Sequence, residues 1–359
     1  MQITYNETAS LDADEFCKKF LASPVDTRYV LGRNEYARSV SEQIEVAGFI
    51  DDFTSDKDFL GKPIIRTGEV PENCLVISSS MVRPLSAREA LRGKEISNLD
   101  YFSFLKHADL DLQPIEFWSN FESDYEVNKA SYERIEEMLT DEESKETFRK
   151  LINFRLSGDL SNMEGFCERQ KDQYFENFLS LKRAGESFYD VGCFDGYTSL
   201  EFIKRCPDYT AISIFEPHPK NMSVVRDRLK NRANISFFEF GLSDHRARVR
   251  ISSQGSSSTI SSTGDVDIII DCLDNVEAEK ATFIKMDIEG EESAAITGAT
   301  KTIEAHHPRL AICVYHHGDD IRKIPEQILS IRDDYDLYLR HYTEGVTETV
   351  MFFMPVDYR

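Results

Sequence analysis

The residues best suited to chemistry lie in the second half of the chain, each at the end of an apolar run. The segment FYDVGCFDGYT places Asp190 just ahead of Gly192, with Gly196 closing a G-x-x-x-G spacing. Small residues at a strand-to-helix turn let the backbone approach a ligand closely. A dinucleotide turn would read G-x-G-x-x-G and present amides to a pyrophosphate, and an acid ahead of the first glycine is a poor neighbour for that group. A carboxylate there suits a ligand carrying positive charge, such as the amino group of a methionine moiety. The next apolar run ends IFEP and puts Glu216 at its tip, 24 residues after Gly192. An acid in that place accepts hydrogen bonds from both ribose hydroxyls of an adenosine. Phe215 and Pro217-His218-Pro219 could border an adenine. FGLSD offers the amides near Gly241 and Leu242, or the Asp244 carboxylate, to the adenine edge. KMDIEG adds Asp287 and Glu289 beside the same crevice. The expected cofactor-binding set is Asp190, Gly192, Cys193, Gly196, Phe215, Glu216, Leu242 and Asp287.

These residues need a scaffold that brings strand ends together, and the pattern of elements supplies one. SFYDVGC, TAISIFEP, ISFFEFGLS, ATFIKMDIEG and PRLAICVYH read as strands. The stretches between them, YTSLEFIKRC, PKNMSVVRDRLKNR, EESAAITGATKTIEA and DDIRKIPEQILSIRD, read as helices. RARVRIS reads as a further strand, and the Ser/Gly-rich QGSSSTISSTG as a mobile or substrate-facing loop. DYDLYLRHY and ETVMFFMP, joined at Thr343-Glu344-Gly345, must run antiparallel. The expectation is a mostly parallel α/β sheet that ends in an antiparallel hairpin and binds its ligand at the carboxyl ends of the strands. Residues 1–113 read as a smaller α/β domain with strands at RYVLG, VAGFIDD and CLVISSS; residues 114–183 as an acidic helical connector; residues 184–359 as the main domain. Thr140 is placed to cap a connector helix, and His306-His307 to meet helix carbonyls.

Residues 187–355 resemble the FkbM family of S-adenosylmethionine-dependent methyltransferases. The resemblance rests on FYDVGCFDGYTS, IFEPHPKN, FGLSD, IKMDIEGEE, LAICVYHHGDDIRKIPEQI, and YLRHY followed by ETVMFF. The family pattern has Ala-Asn after the first glycine, where this chain has Cys193-Phe194. The resemblance implies a Rossmann-like class I methyltransferase sheet of seven strands, S-adenosyl-L-methionine as methyl donor, and oxygen acceptors on sugars, polyketides and related secondary metabolites. A sugar hydroxyl of a glycan or glycan precursor is the expected acceptor. Transfer from a sulfonium is an in-line displacement that depends on alignment, and an alcohol acceptor gains from a base within hydrogen-bond reach. His316, Asp287 and Glu289 stand at strand ends for that role, His316 either as base or acceptor-positioning group or as a structural histidine. Asp287 and Glu289 either orient the acceptor hydroxyl or, as the lesser reading, bind Mg²⁺ with a histidine; no metal is expected.

RYVLGRNEYARSV, VAGFIDD and GKPII are similar to the small nucleotide-sugar-binding domain of sugar O-acyltransferases. That resemblance implies a nucleotide sugar near Gly32, with Asp51 or Asp52 on its ribose. Arg33 and Asn34 replace the further small residues of that turn, so the alternative is a domain that only packs or forms homo-oligomers. Bulk properties agree with a globular enzyme. Acidic residues outnumber basic ones 64 to 42, for a net charge of −22, which disfavours nucleic acid as a partner. Seven scattered cysteines without a C-x-x-C pair, no apolar run long enough to span a membrane, and no basic-then-apolar leader point to the cytoplasm. A catalytically silent binding or assembly protein is the competing reading. A dehydrogenase is disfavoured by the missing G-x-G-x-x-G.

Overall fold

The computed structural model describes residues 7–254, 257–260 and 264–356. The chain divides into two compact units: Met1–Lys129 with Glu146–Gln170 and His341–Glu348, and Ala130–Lys145 with Lys171–Arg340 and Thr349–Arg359. In the first unit α1 (Glu7–Ala22) precedes β1 (Arg28–Leu31), α2 (Glu35–Gln43), β2 (Gly48–Ile50), β3 (Asp58–Phe59), β4 (Lys62–Ile65), β5 (Leu75–Ser78), α3 (Pro84–Arg92), β6 (Ser97–Asp100) and α4 (Tyr101–His107). Its six strands lie in the order β3-β4-β2-β1-β5-β6. All are parallel except β3, which turns back on β4. The strand order reverses beside β1, so the turn at Gly32 is this sheet's switch point. Two helices, α5 (Phe121–Met138) and α6 (Glu142–Ser157), follow. The N-cap of α6 is Asp141, whose Oδ1 accepts from Ser144 N at 2.8 Å. Thr140 does not take that place, because α6 starts at Glu142 and the residue ahead of it is Asp141; the Thr140 amide donates to Leu337 O at 2.8 Å.

The second unit is built on β7 (Ser187–Val191), α7 (Tyr197–Arg205), β8 (Ala211–Phe215), α8 (Pro219–Leu229), β9 (Ile235–Phe238), β10 (Gly241–Leu242), β11 (Ala247–Gln254), β12 (Ser257–Ile260), β13 (Val266–Asp271), β14 (Phe283–Met286), α9 (Glu292–Thr297), α10 (Thr300–His306), β15 (Arg309–Cys313), α11 (Asp320–Ile331), β16 (Tyr335–His341) and β17 (Thr349–Pro355). The seven-stranded sheet has the order β16-β17-β15-β14-β7-β8-β9. Strands β9, β8, β7, β14 and β15 are parallel, and β17 is antiparallel to β15. Strands β7, β14, β15 and β17 are buried along their full length, as near-continuous apolar runs covered on both faces must be. The order reverses beside β7, so the sheet's crevice opens at the carboxyl ends of β7, β8 and β14.

Four expectations change. ISFFEFGLS is two strands in two sheets: β9 closes the large sheet, while β10 joins a four-stranded sheet ordered β10-β13-β11-β12. The segment VDIIID, unassigned by sequence, is β13 and pairs with both β10 and β11. Part of the Ser/Gly-rich stretch is β12, paired antiparallel to β11; residues 255–256 and 261–263 of that stretch lie outside the described residues. EESAAITGATKTIEA is broken into α9 and α10 at Gly298, where a Cβ would lie 2.0 Å from Ser243 O.

At the amino ends of the strands a buried ion pair closes the large sheet. Arg309 bonds Glu186 through Nη2 and Leu179 O through Nη1 at 2.9 Å, and both side chains are almost fully buried. Glu186 also accepts from Lys182 N and Thr282 Oγ1. Removing one member of such a pair strands the other charge away from water. Glu186→Ala should therefore lower unfolding free energy by about 3–5 kcal/mol, measured by urea denaturation. A loss below about 1 kcal/mol would show that Arg309 finds another route to solvent.

Candidate active site

The turn after β7 is shaped by steric necessity. Gly192 has φ +73°, and a Cβ on it would lie 1.8 Å from Asp287 O. Its amide donates to Phe215 O at 3.0 Å, while Asp287 N donates to Val191 O at 3.1 Å, so the tips of β7, β8 and β14 are tied together. Gly196, also left-handed at φ +77°, is the N-cap of α7. Between them Cys193 is buried and Phe194, at φ +51°, is half-exposed.

Asp190 is completely buried. Its Oδ2 accepts from Ser199 Oγ at 2.7 Å, and its Oδ1 stands 3.6 Å from Lys285 Nζ, the residue directly opposite in the β7–β14 register. The cation beside Asp190 is thus supplied by the chain itself. Lys285 also donates to Val191 O at 3.2 Å and Gly192 O at 2.5 Å, holding the glycine turn from below. Burial disfavours the ammonium, but Asp190 and Asp287 outweigh it and raise the Lys285 pKa. Burial raises that of Asp190. Lys285 was passed over by sequence reasoning, although a lysine inside the otherwise apolar run FIKM is a signal for a paired, buried charge.

Glu216 lies at the tip of β8, nearly buried. Its Oε2 accepts from Phe194 N at 3.0 Å, and its Oε1 from His218 N at 2.9 Å and Asn221 Nδ2 at 3.3 Å. Burial raises its pKa. The carboxylate therefore already grips the glycine turn of its neighbour strand. Phe215 serves the site through its carbonyl; its ring is in the aromatic core, stacked on Phe238 at 4.8 Å and packed on Tyr189. Leu242 is buried in β10, paired with Asp271. Asp244 is half-exposed and bonds His245 at 2.5 Å.

Beyond β14 the loop Asp287–Gly290 carries a charged cluster. Asp287 Oδ2 accepts from Tyr174 Oη at 2.7 Å. Its Oδ1 makes no hydrogen bond among the described residues and points toward His316 Nε2, 3.6 Å away. Glu289 Oε2 is also 3.6 Å from that nitrogen, and Glu292 Oε1 is 3.1 Å from Nδ1. Glu292, not singled out by sequence, organises the loop by accepting from Ile288 N at 2.8 Å and Gly290 N at 3.1 Å. Three carboxylates around a buried ring decide its charge. Burial alone would lower the His316 pKa, but Glu292, then Asp287 and Glu289, raise it to about 10. Burial raises Glu289 to about 7, against the pull of His316. For Asp287 burial is outweighed by Lys285, His316 and the Tyr174 hydrogen bond, and its pKa falls. One atom each of Asp287, Glu292 and His316 lies within 4.8 Å of the others, near enough for a metal ion. The imidazolium already provides the positive charge there, and a metal would first have to displace its proton.

Other expected residues have different partners. Asp51 accepts from Arg33 Nε at 2.7 Å and Phe53 N at 2.8 Å, and Asp52 from Thr67 N and Oγ1, so both acids assigned to a ribose are engaged by their own unit. His306 Nδ1 accepts from Ala281 N, and the His307 ring lies 3.3 Å from Asp334, while the His307 amide, as C-cap of α10, donates to the helix carbonyl Ile303 O at 3.0 Å.

The His316 cluster has a pH signature. Its folded pKa is raised above the unfolded value of about 6.5, so its stabilising contribution is complete below that value and is lost as pH rises toward about 10. The stability difference between the wild type and His316→Gln should shrink steadily from pH 6.5 to pH 10 in denaturant titrations. A pH-independent difference would mean that the ring is neutral.

Residues 190–342 match the methyltransferase FkbM domain family. The crystal structure of methyltransferase FkbM from Methylobacillus flagellatus KT superposes with a TM-score of 0.74 at 22% identity, covering 97% of this chain and 98% of that one. An rRNA methylase from Streptococcus thermophilus (TM-score 0.35, 11% identity, 50% of this chain and 93% of that one) and precorrin-6y C5,15-methyltransferase from Geobacter metallireducens GS-15 (TM-score 0.31, 13% identity, 52% and 91%) are far less similar and inform nothing further. No curated protein matches the sequence. Residues 190–342 thus match the FkbM methyltransferase domain, and the chain shares the fold of an FkbM methyltransferase along almost its whole length.

Proposed function

We propose that this protein is an S-adenosyl-L-methionine-dependent O-methyltransferase whose acceptor is a sugar hydroxyl of a glycan or glycan precursor. The observation that carries the reading is the meeting of three strand tips: the glycine turn after β7, Glu216 after β8 and Asp287 after β14 are joined by hydrogen bonds or direct backbone contact. The residues fit an adenosyl sulfonium. Glu216 is a ribose acceptor at the second strand tip. Asp287 Oδ1, a buried acceptor without a hydrogen bond among the described residues, offers itself to the positively charged methionyl end. The donor supplies an electrophilic methyl group on sulfur.

The chain's own residues divide the remaining work. His316 is held as an imidazolium by its three carboxylates and is a positioning cation, not a base. Glu289 is partly exposed, stands at the mouth of the crevice, and has a pKa near neutrality, which suits a general base. With donor and acceptor bound, Glu289 would take the proton of the acceptor hydroxyl. The concentration of acids at this end favours an uncharged polyhydroxyl acceptor over a phosphorylated one. With Asp51 and Asp52 occupied by their neighbours, the first unit reads as a scaffold rather than a nucleotide-sugar site. No disulfide joins cysteines among the described residues, and no helix there is long and apolar enough to cross a membrane; we place the protein in the cytoplasm.

Two measurements test this reading. S-adenosylmethionine or S-adenosylhomocysteine at a hundredfold excess over Kd should stabilise the protein by about 2.7 kcal/mol, seen as a thermal shift that Glu216→Ala abolishes. The absence of a shift with either ligand would defeat the assignment. In a labelled-methyl screen of glycans and sugar derivatives, Glu289→Gln should reduce turnover by about 100-fold or more while S-adenosylhomocysteine still binds. Retained turnover would remove Glu289 as the base.

A further inference from the structure

We infer that Tyr174, which lies outside the matched domain, is a positioning residue of the methyl-transfer site, its hydroxyl fixing the Asp287 carboxylate at the tip of β14. The inference rests on the methyltransferase reading of that site.

Tyr174 follows a 3-10 turn at Gln170–Asp172, in a stretch the sequence presents only as connector. Its backbone is left-handed, with φ +69°, an outlier for a bulky aromatic residue that persists only where its surroundings enforce it. The contacts of its hydroxyl converge on the site. The hydroxyl donates to Asp287 Oδ2 at 2.7 Å, accepts from Gln173 Nε2 at 2.9 Å, and stands 3.4 Å from Cys313 Sγ in β15. The ring lies 5.2 Å from Lys285 Nζ, within cation–π range.

A buried tyrosine needs a partner for its hydroxyl wherever it sits, so the choice of partner is the informative feature. Tyr101, Tyr189, Tyr209 and Tyr335 each donate to a backbone carbonyl. Tyr174 instead donates to a carboxylate at the ligand-facing end of the sheet. With Oδ2 taken, Asp287 has one oxygen left, and the rotation of the carboxylate is set. The charged and titratable groups facing Asp287 are Lys285 from its own strand, Asp190 from β7, Cys313 and His316 from β15 and its end, and Glu289 from its own loop. Among these, Tyr174 contributes a charge-assisted hydrogen bond that favours the ionised form.

The test is Tyr174→Phe, which keeps the ring and removes the hydroxyl. Calorimetric titration with S-adenosylhomocysteine should show binding about tenfold weaker at pH 7. The acidic limb of binding against pH should move to higher pH, because Asp287 then protonates more readily. In an Asp287→Asn background the same substitution should have almost no effect on binding, and denaturant stability measured on the four proteins of this cycle should show the same coupling. Wild-type affinity with an unmoved acidic limb, or an equal loss in the Asp287→Asn background, would overturn the inference and leave Tyr174 as packing. If the wild type binds neither S-adenosylmethionine nor S-adenosylhomocysteine, the cofactor reading fails, and with it Tyr174's role in the site. Stability coupling persisting in the cycle would mark that failure as separate from a failure of the Tyr174–Asp287 bond.

Discussion

A single buried ammonium fixes the geometry of the crevice. Lys285 is almost fully inaccessible, and a charge in that position persists only with close partners. It finds them in the Asp190 carboxylate and in two carbonyls of the turn it supports. Because those partners belong to β7 and the ammonium to β14, satisfying the charge also sets the two strand tips in register. The close approach of Gly192 to Asp287 O is the steric counterpart of the same constraint. Small-residue turns are often explained by what a ligand needs; here the protein's own neighbouring strand already demands glycine.

From that fixed point the charges separate by position. Asp190 lies beneath the turn and is neutralised internally. Asp287 lies at its edge with one carboxylate oxygen committed to Tyr174. Glu289 and His316 lie beyond it, where Glu292 anchors both the loop amides and the imidazole. Acids of similar sequence context thus receive different protonation behaviour from their surroundings: burial lifts Glu289 toward neutrality, while Lys285 and His316 hold Asp287 ionised. This gradient runs from a sealed ion pair at Asp190 to a partly exposed carboxylate at Glu289.

Much of this was legible in the residues. The alternation of buried strands with helices, the terminal antiparallel strand, and Gly192, Gly196, Glu216, Asp287, Glu289 and His316 at strand ends could all be read from period and spacing, because a parallel sheet leaves its strands as continuous apolar runs. What escaped depended on pairing across the sequence. Nothing local says that Asp190 faces Lys285, for that follows from the β7–β14 register. Tyr174 comes from a stretch read only as helical connector, yet it stands between the short 3-10 turns Gln170–Asp172 and Asn177–Leu179. The small sheet was missed because VDIIID is short and half-exposed; the Phe215 ring was set against a ligand because it and its aromatic neighbours read equally well as a ligand wall or as core. The imidazolium state of His316 needed the three-dimensional positions of Glu292, Asp287 and Glu289.

The most direct test is a crystal structure of the protein grown with S-adenosylhomocysteine. The ribose hydroxyls should lie on Glu216 and the homocysteine end beside Gly192 and Asp287, with Lys285 still beneath the turn. Density for the ligand elsewhere, or a Glu216 carboxylate that leaves the ribose untouched while keeping its bond to Phe194 N, would contradict it.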